Sequence, residues 1–401
     1  MSMQMAGGGF GGGAGDVPPG APPGGYGAPP GGPTPPKKGP SALAIGLVVA
    51  GLVVVLGAAA IIVVYFVRGP GGAAEISDGK GGTISLPAKI SSKAHPHLPA
   101  TCDVVARADA GALLDHEAVK KHVIPALDEL QASAGKDPSA KDAKDTKEVE
   151  ELLRLAGIDP KSDVKEVLLC MSELDGDQRN AKMTLVLGGE FRPDAVATAV
   201  ERSAAKDDKI ELITVDGRKA AKKTTGDLLI IGQAADGAIV VANDQAMFEA
   251  AVKESTAYQA TYALPMSTEV AFVVSERFLQ RARTNRNLQG NPFAKDITAT
   301  TRVSGFVALK GDPRGEVRAT MAGEKEAAEL AKGLEQLILP ALKKQGARQK
   351  SQAGELEVLS AAKVRVEGKD VVVEAPWSAA GVDQAAQKLA GLIRDTMKKK
   401  R

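Results

Sequence analysis

Four histidines, His95, His97, His116 and His122, crowd into one short stretch around Cys102, a grouping with the chemistry to ligate a metal ion. Their spacing argues against it. His116 and His122 are six positions apart, about 240° around a helix, so they cannot chelate from one face. His95 and His97 flank Pro96 in a stretch that reads as a stalk, where nothing holds them. The run "DGDQRN" at 175–180 opens like a calcium loop with Asp175 and Asp177, then places Arg179 and Asn180 where Asp or Asn and Gly are needed. A hairpin turn is the expectation there. Ser203-x-x-Lys206 and Ser360-x-x-Lys363 carry the spacing of a serine acyl-enzyme, but Ser203 falls at a helix end and Ser360 in a strand. The "KTTG" at 223–226 is not the K-T-G that such a site requires. Gly7, Gly9 and Gly12 match G-x-G-x-x-G by spacing alone, with no strand before and no helix after. The acidic pairs Glu150-Glu151 and Asp207-Asp208 sit in charged runs and read as solvated. The sequence therefore assigns no catalytic, cofactor-binding or metal residue, and no cofactor is expected.

Charge narrows the partners. Residues 1–68 hold Lys37, Lys38, Arg68 and Asp16, and the rest of the chain carries 48 basic and 48 acidic side chains. A neutral body has no phosphate-neutralising field, so nucleic acid is excluded as the main partner. Thirteen aromatics (Trp 1, Tyr 4, Phe 8) leave little material for stacking platforms. Two cysteines cannot build a zinc ribbon.

The elements that would have to position any site fall into a tail, a span and a long outer part. Gly and Pro fill 24 of the first 40 positions, which predicts a disordered Gly/Pro-rich tail over 1–40. Residues 42–67 carry no charge, and a helix of that length reaches about 39 Å, enough to cross a bilayer. The expectation is a single-pass transmembrane helix in the inner membrane with the lipid bilayer as its partner. Lys37 and Lys38 immediately before the span place the tail in the cytoplasm and the rest outside. Ala42, Gly46 and Ala50 recur every four residues, a small-residue stripe that would suit a homodimer. Residues 69–97 read as a flexible stalk.

From Leu98 onward the apolar period switches between 2 and 3.6, predicting one α+β module over 98–256 and a second over 264–401. "LPATCDVVARADAGALL" and "LPMSTEVAFVVSERFLQ" align without a gap, matching Leu98 to Leu264, Asp103 to Glu269 and Val104 to Val270. The order βαββαβ opening each copy predicts two tandem ferredoxin-like modules with antiparallel sheets. An even cysteine count favours a Cys102–Cys170 bridge where conditions are oxidising. The ferredoxin-like order opposes it. There the first two strands run parallel with another between them, about 9.5 Å apart, beyond the roughly 7 Å Cα limit of a disulfide. Two reduced thiols follow as the expectation.

The segments "LLRLAGIDPKSDVKEVLLCM", "LVLGGEFRPDAVATAVERSA", "VDGRKAAKK" and "LLIIGQAADGAIVVANDQAMFEAAV" resemble a loose family of uncharacterised, membrane-tethered bacterial envelope proteins. The resemblance spans about residues 98–256 and implies an extracytoplasmic α+β module with no catalytic residues to carry over. The function expected is therefore a non-catalytic, membrane-anchored module with a binding or structural role in the cell envelope, its partner an envelope protein or cell-wall component. The alternative is an envelope hydrolase or transferase with a site formed between the two modules.

Overall fold

The computed structural model describes residues 89–134, 155–159, 162–174, 181–204, 210–223, 228–253, 262–283, 299–340, 344 and 361–398. The span expected at 42–67 and its stripe Ala42, Gly46 and Ala50 lie outside them, as do the tail and most of the stalk. Among the described residues no helix is long and apolar enough to cross a membrane. The 20-residue helix Ala379–Lys398 has the length, but Asp383, Lys388, Arg394 and Asp395 interrupt it. The single-pass inner-membrane placement is corrected accordingly: no described helix supports it.

Among the described residues thirteen strands form one antiparallel sheet. In chain order they are β1 (Ile90–Ser92), β2 (Val104–Asp109), β3 (Val164–Ser172), β4 (Lys182–Phe191), β5 (Ile210–Val215), β6 (Arg218–Lys223), β7 (Ile230–Gln233), β8 (Ile239–Ala242), β9 (Val270–Val274), β10 (Thr300–Ala308), β11 (Arg314–Met321), β12 (Lys363–Glu367) and β13 (Asp370–Pro376). Spatial order runs β12-β13-β11-β10-β9-β2-β3-β4-β8-β7-β6-β5, with β1 on the end of β4. Among the described residues seven α-helices accompany them: α1 (Ala110–Asp115), α2 (Ile124–Ala134), α3 (Ala195–Ala204), α4 (Gln245–Val252), α5 (Glu276–Arg283), α6 (Glu324–Gly333) and α7 (Ala379–Lys398).

This order overturns the two ferredoxin-like modules. β2 pairs directly with β3, antiparallel, with Val105 opposite Cys170. The start of one strand then lies beside the end of the next, and Cys102 and Cys170 form a disulfide with Cα atoms 5.4 Å apart. The expected pair of reduced thiols is wrong for the same reason: the two strands are neighbours, not separated by a third.

The halves join edge to edge. β2 pairs antiparallel with β9, setting Val104 against Val274, Ala106 against Phe272 and Ala108 against Val270. Under the alignment that matches Val104 to Val270 this ladder maps onto itself, so a local two-fold passes through the Ala106–Phe272 pair. Hydrogen bonding repeats the symmetry. Ser275 N donates to Asp103 O and Asp109 N to Glu269 O, both at 2.7 Å. The buried carboxylates of Asp103 and Glu269 accept from Leu174 N (3.3 Å) and Leu309 N (2.8 Å), each just past the end of the following strand. The two acids that align in the sequence therefore do the same task in each half.

Size is traded across the seam. Ala106 faces Leu169, whereas Phe272 faces Gly305, where a Cβ would come within 2.5 Å of the ring. Alternation sorts the core onto two faces. Ala106, Ala108, Val167, Leu187 and Phe272 lie under α1, α2 and α3, and Val105, Leu168, Cys170 and Val240 lie under α4 and the turn at His95–His97. Strand β2 is buried on both sides, which explains its near-continuous apolar run. The last helix breaks the symmetry. Where α4 covers the second face of the first half, α7 puts Val382, Ala386, Ala390 and Ile393 into the first-face core beside α2. Arg394 grips Glu129 of α2 through two hydrogen bonds of 2.8 and 3.0 Å.

Asp244 caps α4 by accepting from Met247 N at 3.0 Å, and Gly157 takes a left-handed φ of 66°. Gly189 is a backbone crossing: a Cβ there would sit 1.9 Å from Asp163 O. Gly189→Ala must part β4 from the 163–165 segment and is expected to lower the unfolding free energy by about 2 kcal/mol or more, measured in urea. A wild-type midpoint would show that this contact yields freely.

Candidate functional site

The four histidines go to separate places. His97, buried, contacts Ala251 O through Nδ1 and Asp236 Oδ1 through Nε2, each at 2.9 Å. Burial alone would raise the Asp236 carboxyl, but hydrogen bonds from His97 and Ala238 N hold it below its ordinary value. His122 meets Asp383 at 3.0 Å, pinning the turn before α2 to α7, and His116 accepts from Ala118 N at 3.3 Å. Among the described residues no three His, Cys, Asp or Glu side chains group as metal ligands. Ser203 lies in the last turn of α3 and Lys363 opens β12, while Lys206, Ser360, Glu150-Glu151, Asp207-Asp208, Gly7, Gly9, Gly12 and the run 175–180 are outside the described residues.

A cleft of about 590 Å³ opens where the two halves meet. The β1 strand and the turn after it supply Ser92, Lys93 and His95, β2 supplies Arg107 and Asp109, and β3 supplies Lys165 and Glu166. The segment entering β9 adds Ala263, Leu264 and Met266. At its floor Arg107 Nε donates to Glu166 Oε1 at 2.6 Å and Nη1 to Thr268 O at 2.8 Å. Both side chains are nearly closed to solvent, 7% and 12% exposed. Glu166 Oε2 accepts from Ala94 N at 3.0 Å and lies 3.9 Å from His95 Nδ1. Burial pushes the His95 imidazole below its ordinary value, against the pull of Glu166. Asp109 caps α1 by accepting from Ala112 N at 2.8 Å, and the Ser92 hydroxyl donates to Gly189 O at 3.2 Å. The floor acid and base thus neutralise each other. Lys93 and Lys165 at the rim are exposed, and Met266 forms an apolar lip, 41% exposed.

Two buried groups tie the halves together at the start of β2. Asp103, fully buried, pairs with Arg277 (3.1 Å) and with Arg281 one turn along α5. Tyr262 Oη accepts from Cys102 N at 2.9 Å and donates to Pro99 O at 3.0 Å, tying the disulfide to the chain before Leu264. Burial pushes the Tyr262 hydroxyl up to about 12. An acid raised above its unfolded value of about 10 contributes stability that is complete below pH 10 and is lost as pH rises through about 12. Tyr262→Phe is expected to cost about 1–3 kcal/mol near neutrality and to flatten the pH dependence between about 10 and 12. Denaturation series at pH 8 and 11 check both, and parallel losses in wild type and variant would refute the assignment.

Sequence reasoning missed Arg107 and Glu166. The signal was present: a lone Arg inside "VVARAD" and a Glu inside "VKEVLLC", both charged residues at inward strand positions. Strand β6 was missed too, although Asp216-Gly217 before it is the hairpin signature, with φ of 52° and 74°.

No family model matches this chain, and no curated protein matches it. Among solved structures it is similar to crystal form I of TP0453, with a TM-score of 0.34 and 10% identity over 75% of this chain and 98% of that one. A score that low carries no argument about fold or role.

Proposed function

We propose that this chain is a non-catalytic binding module whose ligand seats in the cleft between the two halves. The observation that supports this is the pairing at the cleft floor: Arg107 and Glu166 satisfy each other, so the buried acid and base of the floor are spent on structure. With Asp109 spent on capping α1, the exposed charges left toward a ligand are two rim lysines, Lys93 and Lys165, beside His95, Leu264 and Met266. That combination suits a small carboxylate with an apolar tail, or the end of a peptide of that character. Titration calorimetry of the full chain with a panel of such carboxylates is expected to find binding that Lys165→Glu weakens at least tenfold. Lack of heat with every member, or affinity indifferent to Lys165, would overturn the reading.

The second reading is a hydrolase or transferase at the same cleft. Its support is His95, whose lowered imidazole faces Glu166 at the junction of the halves. Turnover of ester or glycoside probes that is lost in His95→Gln would favour it, and no turnover of either probe class would remove it.

A further inference from the structure

The two ends of the sheet are built differently. β12 at one end carries three charges in five residues, Lys363, Arg365 and Glu367, the usual protection of an open edge. β5 at the other end reads "IELITV", with one charge in six residues. Among the described residues β5 pairs only with β6, and one row of its backbone groups has no strand beside it among them. Leu212 is 45% exposed at its middle, on the face where Ala221 and α3 belong to the core.

We propose that β5 is a self-association edge, pairing antiparallel with β5 of a second copy about a two-fold at Leu212. The register is self-complementary. Leu212 meets its own counterpart, Ile210 lies opposite Thr214 of the second copy, and Glu211 lies opposite Ile213, so no like charges face each other. Glu211 already has Lys222 across its own ladder. The corresponding pairing of β12 about its middle would set Arg365 against Arg365. The chain already uses this geometry internally, since β2 and β9 join its halves antiparallel about a local two-fold. A second copy at β5 extends the same sheet and encloses Leu212 between the two α3 helices. The edge lies at the end of the sheet, away from the cleft, so it stands whether or not the cleft binds a ligand.

Sedimentation velocity of the full chain over a concentration series is the test. A monomer–dimer equilibrium is expected, with Leu212→Lys raising its dissociation constant at least tenfold and Val366→Lys on β12 leaving it unchanged. The only two cysteines are bonded to each other, so Leu212→Cys introduces a single reactive thiol. A short bis-maleimide is expected to couple it to its counterpart. A monomer at every concentration, a dimer indifferent to Leu212→Lys, or no coupling through residue 212 overturns the proposal. A monomer that instead captures an added strand-forming peptide at β5 overturns the second copy as occupant.

Discussion

Removing the Cys102–Cys170 bridge is expected to lower the unfolding free energy by about 4 kcal/mol. The crosslink spans 68 residues, and the chain-entropy relation for a loop of that length gives roughly this figure. Both cysteines are buried and clamp the start of β2 to the end of β3, the pair next to the seam with β9. Loss of the bridge therefore also frees the backbone that Tyr262 ties at Cys102 N. The double variant Cys102→Ser with Cys170→Ser, compared with wild type in a urea series, measures the effect. A midpoint within error of wild type would mean the strands hold their register without the bridge.

The second large effect concerns the cleft floor. Glu166→Ala leaves Arg107 buried without its carboxylate and Ala94 N without its acceptor, and is expected to cost about 3–5 kcal/mol. Arg107→Met with Glu166→Leu removes both charges and is expected to recover most of that loss, because two desolvated ions are replaced by packed apolar groups. Chemical denaturation of Arg107→Met, of Glu166→Leu and of the double variant completes the cycle. A double variant as unstable as the sum of the singles would give no coupling energy and overturn the reading of Arg107 and Glu166 as a mutually satisfied pair. The same double variant separates structure from binding. If it folds and still binds small carboxylates, the ligand is held by Lys93 and Lys165, as the rim geometry supports.

Much of the local structure was legible in the sequence because local rules set it. The apolar periodicity read from Leu98 onward includes the runs that form β3 and β4, and Asp244, a residue type suited to a helix start, caps α4. The gapless match of Asp103 to Glu269 marked two residues that take equivalent hydrogen bonds. Each of these depends on residues a few positions apart, or on a comparison of the chain with itself.

Which strand lies beside which was decided only in three dimensions. The order βαββαβ is compatible with a strand inserted between the first two or with direct antiparallel pairing, and sequence separation does not distinguish them. Here β2 presents both edges to partners distant in the chain, through Arg107–Glu166 on one side and Ala106–Phe272 on the other. That choice merged two expected modules into one sheet, brought Cys102 beside Cys170, and gathered the cleft from β1, β2, β3 and the entry to β9. Amino-acid types set the strands, caps and alternation because those depend on nearest neighbours along the chain. Pairing, the disulfide and the cleft come from packing two apolar faces at once, and only the folded chain determines which faces meet.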